Sequence, residues 1–408
     1  MLMRRSPIGL YLTTLLFFVG FGLYGPQLAV FITEDLGLSA TIAGTVLGAT
    51  GLASVLTRFL VGVSSDRVRR RRIFIQAGLL LQAGGWVLAY LAPSAATLYA
   101  AKFLAGLCAA TYVIYIVLYT SYFKRTNTAK AVGWLAVASP AGTFVGNRLG
   151  GMLTEASGDA RITFAAAAVV AVLALATTFV FADDRPDIDI PFVRSDLTEQ
   201  LSDRGLWAIS AMAVIALIVP YATKDTAVPL LLSELGVGPA GLADYANVHV
   251  VSNAVAAVIA GQFLVPRLGL VVVTVIGALL QGAGTLAFVV SDNLTVLLAG
   301  EAVAGFGLGL NFTTLLTLVL VGIERRKQST RMGLFQNIYS LAIFLGPQTV
   351  GVLIDNIGTS NTFIVFGSLS VLGGVLSVFL LRGYEARRAE QFEAQTSITE
   401  EKREKPVG

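Results

Sequence analysis

Long apolar stretches dominate the chain, and short polar or glycine-containing breaks separate them. A helix needs roughly 20 predominantly apolar residues to cross the hydrocarbon core of a bilayer. Stretches of this kind recur along the whole chain, and the pattern predicts twelve membrane-spanning helices, numbered here as spans 1 to 12. Their predicted bounds are 7–33, 39–65, 72–92, 95–123, 129–154, 161–182, 204–232, 239–265, 268–291, 293–323, 328–354 and 360–382.

A single long polar break, residues 183–203, separates the first six spans from the last six and is rich in Asp, Arg and Pro. We therefore predict an N-terminal six-helix bundle over 1–182, a cytoplasmic linker over 183–203, a C-terminal six-helix bundle over 204–383 and a cytoplasmic tail over 384–408. The predicted fold class is an all-α membrane protein with twelve transmembrane helices in two pseudo-symmetric bundles.

The two halves are predicted to be repeats. A shift of 199 or 200 residues superposes glycines and glutamines in the same order along most spans. Gly62 falls on Gly261, Gln82 on Gln281, Gly133 on Gly333 and Gly151 on Gly351. Parallel repeats about an axis normal to the membrane are a common architecture of secondary transporters, with the substrate site between the halves near the midplane.

Composition and charge agree with a polytopic membrane protein. Hydrophobic residues make up 55% of the chain, charged residues 13%, and the mean hydropathy is +0.76. Soluble domains carry about 25% charged residues. The net charge of +4 is spread over loops, so no nucleic-acid partner is predicted. Cys108 is the only cysteine, which excludes a disulfide within one chain and shows no metal-ligand spacing.

The placement of Lys and Arg predicts the orientation. Nearly all loop cations fall on the side that carries both termini, whereas the opposite side receives only Arg161. Cationic loops remain in the cytoplasm, so we expect a multi-pass protein of the cell membrane with both termini cytoplasmic. The apolar run that follows Arg5 is too long for a cleaved signal core of about 7–15 residues, so it is interpreted as span 1.

A dense basic segment, Gly62 to Arg72, follows span 2. It resembles the loop between spans 2 and 3 of the major facilitator superfamily, whose pattern is G-x-L-x-D-R-x-G-R-R/K. Ser64 and Arg69 depart from that pattern. The positions that match are Gly62, Asp66, Arg67, Arg70 and Arg71. The resemblance implies a gating loop in a transporter that works by alternating access, with Asp66 and its arginines stabilising one state.

Span 5 contains a glycine spacing that resembles the antiporter motif of drug:proton exchangers, G-x8-G-x3-G-P-x2-G-G. The residues at these positions are Gly133, Gly142, Gly146, Asn147, Gly150 and Gly151, with Asn147 in place of the proline. The resemblance implies exchange in preference to symport. The alternative interpretation is helix packing, because small residues at intervals of four let helix backbones approach closely.

Charged residues inside apolar spans are costly and are usually functional. Lys102 lies in a span-4 segment that resembles the superfamily motif R-x-x-x-G, and the 199-residue shift places it on Glu301 of span 10. Span 7 adds Lys224 and Asp225, which as neighbours on a helix should point about 100° apart. Glu301 and Asp225 are candidate proton carriers with Lys102 tuning them. Alternatively, the acids form static pairs with Lys102 or Lys224.

Other polar side chains are candidate contacts of a central cavity. Tyr112 and Tyr115 belong to a stripe on span 4 that also includes Tyr119 and Tyr122, and the stripe either stacks on a ligand or packs against neighbouring helices. His249 of span 8 shares a face with Tyr245 and Asn253, and a hydrogen-bonded structural role is favoured over a place in a proton path. Further candidates are Tyr24, Gln27, Lys224 and Asn311.

The sequence shows neither a nucleotide-binding loop nor a catalytic constellation, so no cofactor, metal site or enzymatic activity is predicted. The leading hypothesis is a secondary transporter that exports amphipathic drugs or small metabolites by proton coupling, with sodium as the alternative ion. A second hypothesis is uptake of a small anionic nutrient, motivated by Lys102 and Lys224. A non-transporting receptor is disfavoured because no folded soluble domain is present. A two-half transporter needs no partner subunit, so we expect a monomer.

Overall fold

The computed structural model describes residues 2–68, 70–123, 128–179 and 194–404, with the side chains of 2–6, 63, 66, 67, 128–132, 194–196, 325, 326, 329 and 385–404 left out. Within these ranges the chain is helical apart from short turns. Ten of the described helices are long and apolar enough to cross a membrane by composition, Ile162–Thr177 is a shorter apolar helix, and the long helix Thr128–Ser157 makes the twelfth. The predicted fold class is therefore confirmed as an all-α, twelve-span membrane protein.

The first six spans follow the predicted order. Span 1 is Leu2–Val30, continued by the π-helical turn Phe31–Asp35. Span 2 is Ala40–Val68, and span 3 is Arg71–Leu91. Span 4 comprises Ala95–Ala110 and Tyr112–Ser121, while span 5 is Thr128–Ser157 and span 6 is Ile162–Thr177.

A short helix, Arg194–Ser202, precedes the second group of six. Span 7 comprises Arg204–Ala222, the π-helical Thr223–Ala227 and Val228–Glu234. Span 8 comprises Pro239–Ile259, the π-helical Ala260–Leu264 and Val265–Leu268. Spans 9 to 12 are Leu270–Val290, Leu294–Leu318, Arg325–Ile357 and Thr359–Glu404.

Local sequence signals explain where several spans begin and end. The Ser94 hydroxyl caps span 4 in a reciprocal pair with Thr97, and the Asp203 and Asn293 side chains accept from the first-turn amides of spans 7 and 10. Span 11 ends at Gly358, whose φ of 82° is readily adopted only by glycine. The equivalent residue of the first half, Gly158, has a φ of 68° after span 5.

The apolar cores lie inside the bundles, and the outer surface is apolar as well. Trp86 and Phe164 are buried in the first half, and Phe363 and Phe366 in the second. Large apolar side chains such as Val290 face outwards with most of their surface exposed. A bundle surrounded by lipid tails gains nothing by hiding such residues, so this pattern fits a membrane-embedded fold.

Candidate functional site

A cavity of about 360 Å³, here called the central cavity, lies between the first six spans and the last six. Spans 1, 2, 4 and 5 line it from one side, and spans 7, 8 and 11 line it from the other. The aromatic lining residues are Phe17, Phe18, Phe21, Tyr24, Tyr112 and Tyr221. The charged lining residues are Arg58, Lys102, Lys224 and Asp225. An apolar wall with a few converging polar groups is typical of a small-molecule site.

Lys102 reaches the central cavity from span 4 and is only 8% exposed. Its Nζ atom lies 5.2 Å from the ring centroid of Tyr24, a cation–π geometry. Its backbone carbonyl accepts a hydrogen bond of 3.0 Å from the Thr50 hydroxyl, which fixes span 4 against span 2. Among the side chains that the structure describes, no carboxylate forms an ion pair with Lys102.

Lys224 and Asp225 form an ion pair with each other on the wall of the central cavity. These neighbours were predicted to point in different directions, but they lie in the π-helical turn Thr223–Ala227. A π-helical turn changes the angle between successive side chains, and the flexible lysine side chain folds back onto the adjacent carboxylate. Both charges therefore face the same space and largely offset each other.

Glu301 pairs with His249, and not with Lys102 or Lys224. The Glu301 Oε1 atom lies 2.7 Å from His249 Nδ1, and the side chains are 3% and 6% exposed. Span 10 presents Gly305 against the backbone of His249, so the two helices are close enough for this contact. The other ring nitrogen, Nε2, is buried and has no hydrogen-bond partner among the described residues.

His249 lines a second cavity of about 740 Å³, here called the span 5–8 cavity. Four residues are shared with the lining of the central cavity, namely Ser139, Thr143, Tyr221 and Lys224. The imidazole therefore lies between the buried carboxylate and a space that adjoins the central cavity. This places a titratable pair beside the pathway between the halves.

Only some of the other predicted cavity residues line the central cavity. Tyr24, Tyr112 and Lys224 line the central cavity, whereas Gln27, Tyr115 and Asn311 do not. Tyr115 is fully buried against Phe17, so this member of the tyrosine stripe packs between helices. Gln27 donates to the Pro239 carbonyl at 3.3 Å and lines a separate cavity of about 470 Å³.

Asn311 packs against Gly277 of span 9, because the small residue lets spans 9 and 10 approach closely. Its position is therefore inside the second bundle and away from the central cavity. Asn311, Gln27 and Tyr115 thus lie outside the lining of the central cavity, since helix rotation and span depth cannot be determined from one sequence. Contact of these three residues with a substrate stays a prediction.

Three motif glycines of span 5 pack against span 1. A Cβ atom at Gly142, Gly146 or Gly150 would lie 2.5, 2.3 or 1.9 Å from a span-1 carbonyl oxygen. Gly151 faces the start of span 8, and a Cβ atom at Gly133 would meet nothing within 4 Å. The packing interpretation therefore accounts for four of the five glycines, while an antiporter role for the motif stays a prediction.

The gating-loop residues are only partly described. A Cβ atom at Gly62 would meet nothing within 4 Å, Arg70 is exposed and Arg71 is 8% exposed. The side chains of Asp66 and Arg67 lie outside the described part, so the predicted lock stays a prediction.

The two halves meet at the membrane face opposite the termini. There the Asn147 amide donates to the Asn247 carbonyl oxygen at 3.0 Å, and Arg148 pairs with Asp244 at 2.8 Å. On the other flank, the Asp355 carboxylate accepts from the backbone amides of Ala40 and Thr41 at the start of span 2.

Towards the face that carries the termini, the span 5–8 cavity lies between Gly133 and Val137 of span 5 and Ala257 and Val258 of span 8. Two repeat-related pairs of glycines lie near this face, and a Cβ atom on any of them would meet no described neighbour within 4 Å: Gly62 with Gly261 and Gly133 with Gly333. The contacts between the halves therefore close the face opposite the termini, and the span 5–8 cavity makes the face of the termini the more open of the two.

Two residues line these cavities although the sequence did not predict that position for them. His249 was given a structural role, although it is the only histidine and lies in a span otherwise poor in charge. Arg58 was not among the predicted cavity residues, yet it lines the central cavity and contacts Tyr339 of span 11. The signal available for both was an ionisable side chain inside an apolar span.

Comparison with known proteins gives consistent matches. The sequence profile of the Major Facilitator Superfamily matches residues 10–347 and, in a second match, 225–406. The MFS-type transporter MJ1560 of Methanocaldococcus jannaschii is 21% identical over 92% of this chain and 98% of its own. The staphylopine export protein of Staphylococcus aureus is 23% identical over 90% of this chain and 94% of its own.

A crystal structure of the nucleoside transporter NupG superposes with a TM-score of 0.78. Its sequence is 12% identical, and the superposition covers 92% of this chain and 99% of that one. At this identity, the likeness concerns the fold.

Proposed function

The chain belongs to the Major Facilitator Superfamily, and from this premise we propose that it is a proton-coupled exporter of small amphipathic molecules that works by alternating access. As a member of this superfamily it is a multi-pass membrane transporter. The observation that carries the proton-coupling proposal is the buried His249–Glu301 pair, whose histidine lines the span 5–8 cavity.

The chemistry of this pair suits reversible protonation. An isolated charge inside a membrane protein is costly, and a carboxylate beside an imidazole can share one proton between two groups. Nδ1 faces Glu301, and the buried Nε2 has no hydrogen-bond partner among the described residues. Nε2 is therefore the nitrogen that can exchange a proton when water from the cavity reaches it. A proton that enters from the cavity can therefore change the charge of the buried pair without any movement of Glu301.

The packing around the pair links its charge to helix movement. Gly305 and Gly309 of span 10 lie against the backbones of His249 and Asn253. Span 8 in turn contacts span 5 through Asn247 and Asp244. A change of charge on His249 or Glu301 therefore acts on the helix that closes the face opposite the termini. We infer that protonation biases the equilibrium between the two access states.

The direction of transport rests on two supports. The span-5 glycine spacing resembles that of exchangers, and one relative is an export protein. With the termini in the cytoplasm, as the distribution of cations predicts, the open face is cytoplasmic and the structure is inward-facing.

Asp225 is a second candidate proton carrier in this proposal, held by Lys224 on the cavity wall. Uptake of an anionic nutrient is the second candidate, favoured by the lack of an acidic partner for Lys102 in the described region.

The experiment is transport of ethidium and fluorescein into proteoliposomes under an imposed pH gradient. We expect the gradient to drive at least one dye in the wild type, and we expect Glu301→Gln and His249→Asn to abolish the driven component. Glu155→Gln removes an exposed carboxyl group outside both proposed sites and serves as the control. Driven transport that survives in both pair variants would remove the pair as the coupling site, and equal transport with and without the gradient would remove proton coupling.

A further inference from the structure

We propose that the central cavity binds an organic anion, a small molecule with one carboxylate or sulfonate group on a flat apolar body. This inference rests on the proposed transport function and names the substrate class of the same site. Two independent features of the cavity carry it: an excess of positive charge on its wall and a surface of packed aromatic rings.

The first feature is the balance of charge. Of the four charged side chains on the cavity wall, Lys224 and Asp225 neutralise each other. Lys102 and Arg58 remain, and neither forms an ion pair with an acid within the described ranges. Arg58 contacts the neutral Tyr339, whose hydroxyl lies 3.4 Å from Nη1. The described wall therefore carries three positive side chains against one negative side chain, a net charge of +2.

Lys102 is the stronger anchor of the two. It is more than nine-tenths buried, and its ammonium group lies over the ring of Tyr24 at the cavity wall. A lysine ammonium has three hydrogen-bond donors, and in the described structure none of the three has a hydrogen-bonding partner. A buried cation without a counter-charge is destabilising, so an anion that enters the cavity gains both an ion pair and hydrogen bonds.

The second feature is the aromatic surface beside this cation. Phe17 packs edge-to-face on Phe18 with centroids 4.9 Å apart, and Phe18 packs the same way on Tyr112 at 5.2 Å. Phe21 continues the surface towards Tyr24. Such rings favour flat apolar ligands through stacking and burial of surface. The recognised molecule therefore combines an apolar body with a single anionic group placed near Lys102.

The test uses three probes that share one naphthalene ring and differ in charge: 2-naphthoate, 2-naphthalenemethanol and 2-naphthylmethylammonium. Binding to the full-length protein is measured by isothermal titration calorimetry in micelles free of anionic lipid, against a protein-free blank. We expect 2-naphthoate to bind at least about tenfold more tightly than the alcohol, the effect of one hydrogen-bonded ion pair. We expect the ammonium probe to bind most weakly.

Variants assign the preference to its residue. Lys102→Gln should bring the affinities for naphthoate and the alcohol to within about threefold of each other, because the charge-assisted contact is lost. Lys102→Arg should retain the preference. Arg161→Gln removes a cation far from the cavity and should behave as the wild type. Size-exclusion profiles show whether each variant is folded.

Several outcomes would overturn the inference. Equal affinity for naphthoate and the alcohol, tighter binding of the ammonium probe, or no binding of any probe would exclude the proposed substrate class. A preference that survives Lys102→Gln would exclude Lys102 as the anchor. Binding with the expected preference but without gradient-driven transport would leave this inference standing and remove the proton coupling proposed above. Gradient-driven transport of ethidium without a preference for the anionic probe would leave the proton coupling standing and overturn this inference.

Discussion

Asn147 of span 5 donates a hydrogen bond of 3.0 Å to Asn247 of span 8, and both side chains are buried. Asn147 stands where the antiporter motif has its proline. A proline side chain has no polar group and could not make this contact. The residue that departs from the motif therefore joins the two halves at the face where the structure is closed.

We expect Asn147→Ala to favour opening at that face. Loss of the Asn147 side chain leaves the buried Oδ1 atom of Asn247 without its donor, a penalty of about 1–3 kcal/mol, or roughly five- to 150-fold in an equilibrium. The measurement is the labelling rate of Ser139→Cys, a cavity-wall position, by an impermeant maleimide added from the face opposite the termini. The native Cys108 is buried.

Arg148→Ala is the matched control for Asn147→Ala. Arg148 and Asp244 are 45% and 59% exposed, and exposed ion pairs contribute about 1 kcal/mol or less. Its effect on the labelling rate should therefore be smaller than that of Asn147→Ala. The reverse order would show that the buried amide contact does not hold this face closed.

Gly150→Ala should destabilise the fold. Its Cβ atom would lie 1.9 Å from the Leu23 carbonyl oxygen, and forcing a group into a packed interface costs about 1–3 kcal/mol. Gly133→Ala is the control from the same helix, because its Cβ atom would lie in open space and alanine is the better helix former. Thermal unfolding in detergent should place Gly150→Ala below the wild type and Gly133→Ala level with it or above. Equal midpoints would argue against the packing interpretation of the motif.

Asp355 offers an independent contact at the opposite flank of the closed face. It accepts from the Ala40 and Thr41 amides at 3.2 and 2.8 Å, where a negative charge also complements the helix dipole of span 2. We expect Asp355→Ala to raise the labelling rate of Ser139→Cys. Because Asp355 and Asn147 share no partner, their effects on the free energy of opening should add in the double variant. A double variant no faster than either single one would show that the two flanks do not open together.

Arg331 organises the polar end of the second half and is fully buried. Its guanidinium group donates to the Val319 carbonyl, Gln200, Asp203 and the Tyr384 hydroxyl at 2.6–2.7 Å. A lysine lacks the planar fork and cannot make all of these bonds, so Arg331→Lys should lower the free energy of unfolding by about 1.5–3 kcal/mol. Arg267→Lys, on an exposed side chain, should change the unfolding midpoint little. Similar midpoints for both variants would contradict this role.

The order and type of the spans could be predicted because membrane crossing imposes a length and a polarity on each helix. One pair of glycines matched by the 200-residue shift also shares a backbone conformation, since Gly158 and Gly358 both end their helices with a positive φ. Helix ends were less predictable. Spans 1, 5 and 11 extend beyond their predicted bounds, because hydropathy marks the lipid-facing length and not the last hydrogen bond.

The partners of charged residues could not be read in the same way. Lys102 and Glu301 are equivalent by repeat, yet Glu301 contacts His249 on a neighbouring helix. Pairing depends on the rotation of each helix about its axis, which a one-dimensional pattern does not contain. The Lys224–Asp225 contact depends on a π-helical turn that hydropathy alone does not reveal.

The ring contacts behind Lys102 have an optical consequence. Tyr24 separates the ammonium group from Trp86, whose indole lies 4.0 Å from the Tyr24 ring and stacks on Phe164 at 5.2 Å. Trp134 and Trp207 face outwards and are about half exposed. Indole emission responds to nearby charge, so an anion that neutralises Lys102 should shift the fluorescence of the interior tryptophan. The two tryptophans at the lipid boundary provide the reference signal. The unmodified chain thus contains its own spectroscopic reporter of cavity occupancy.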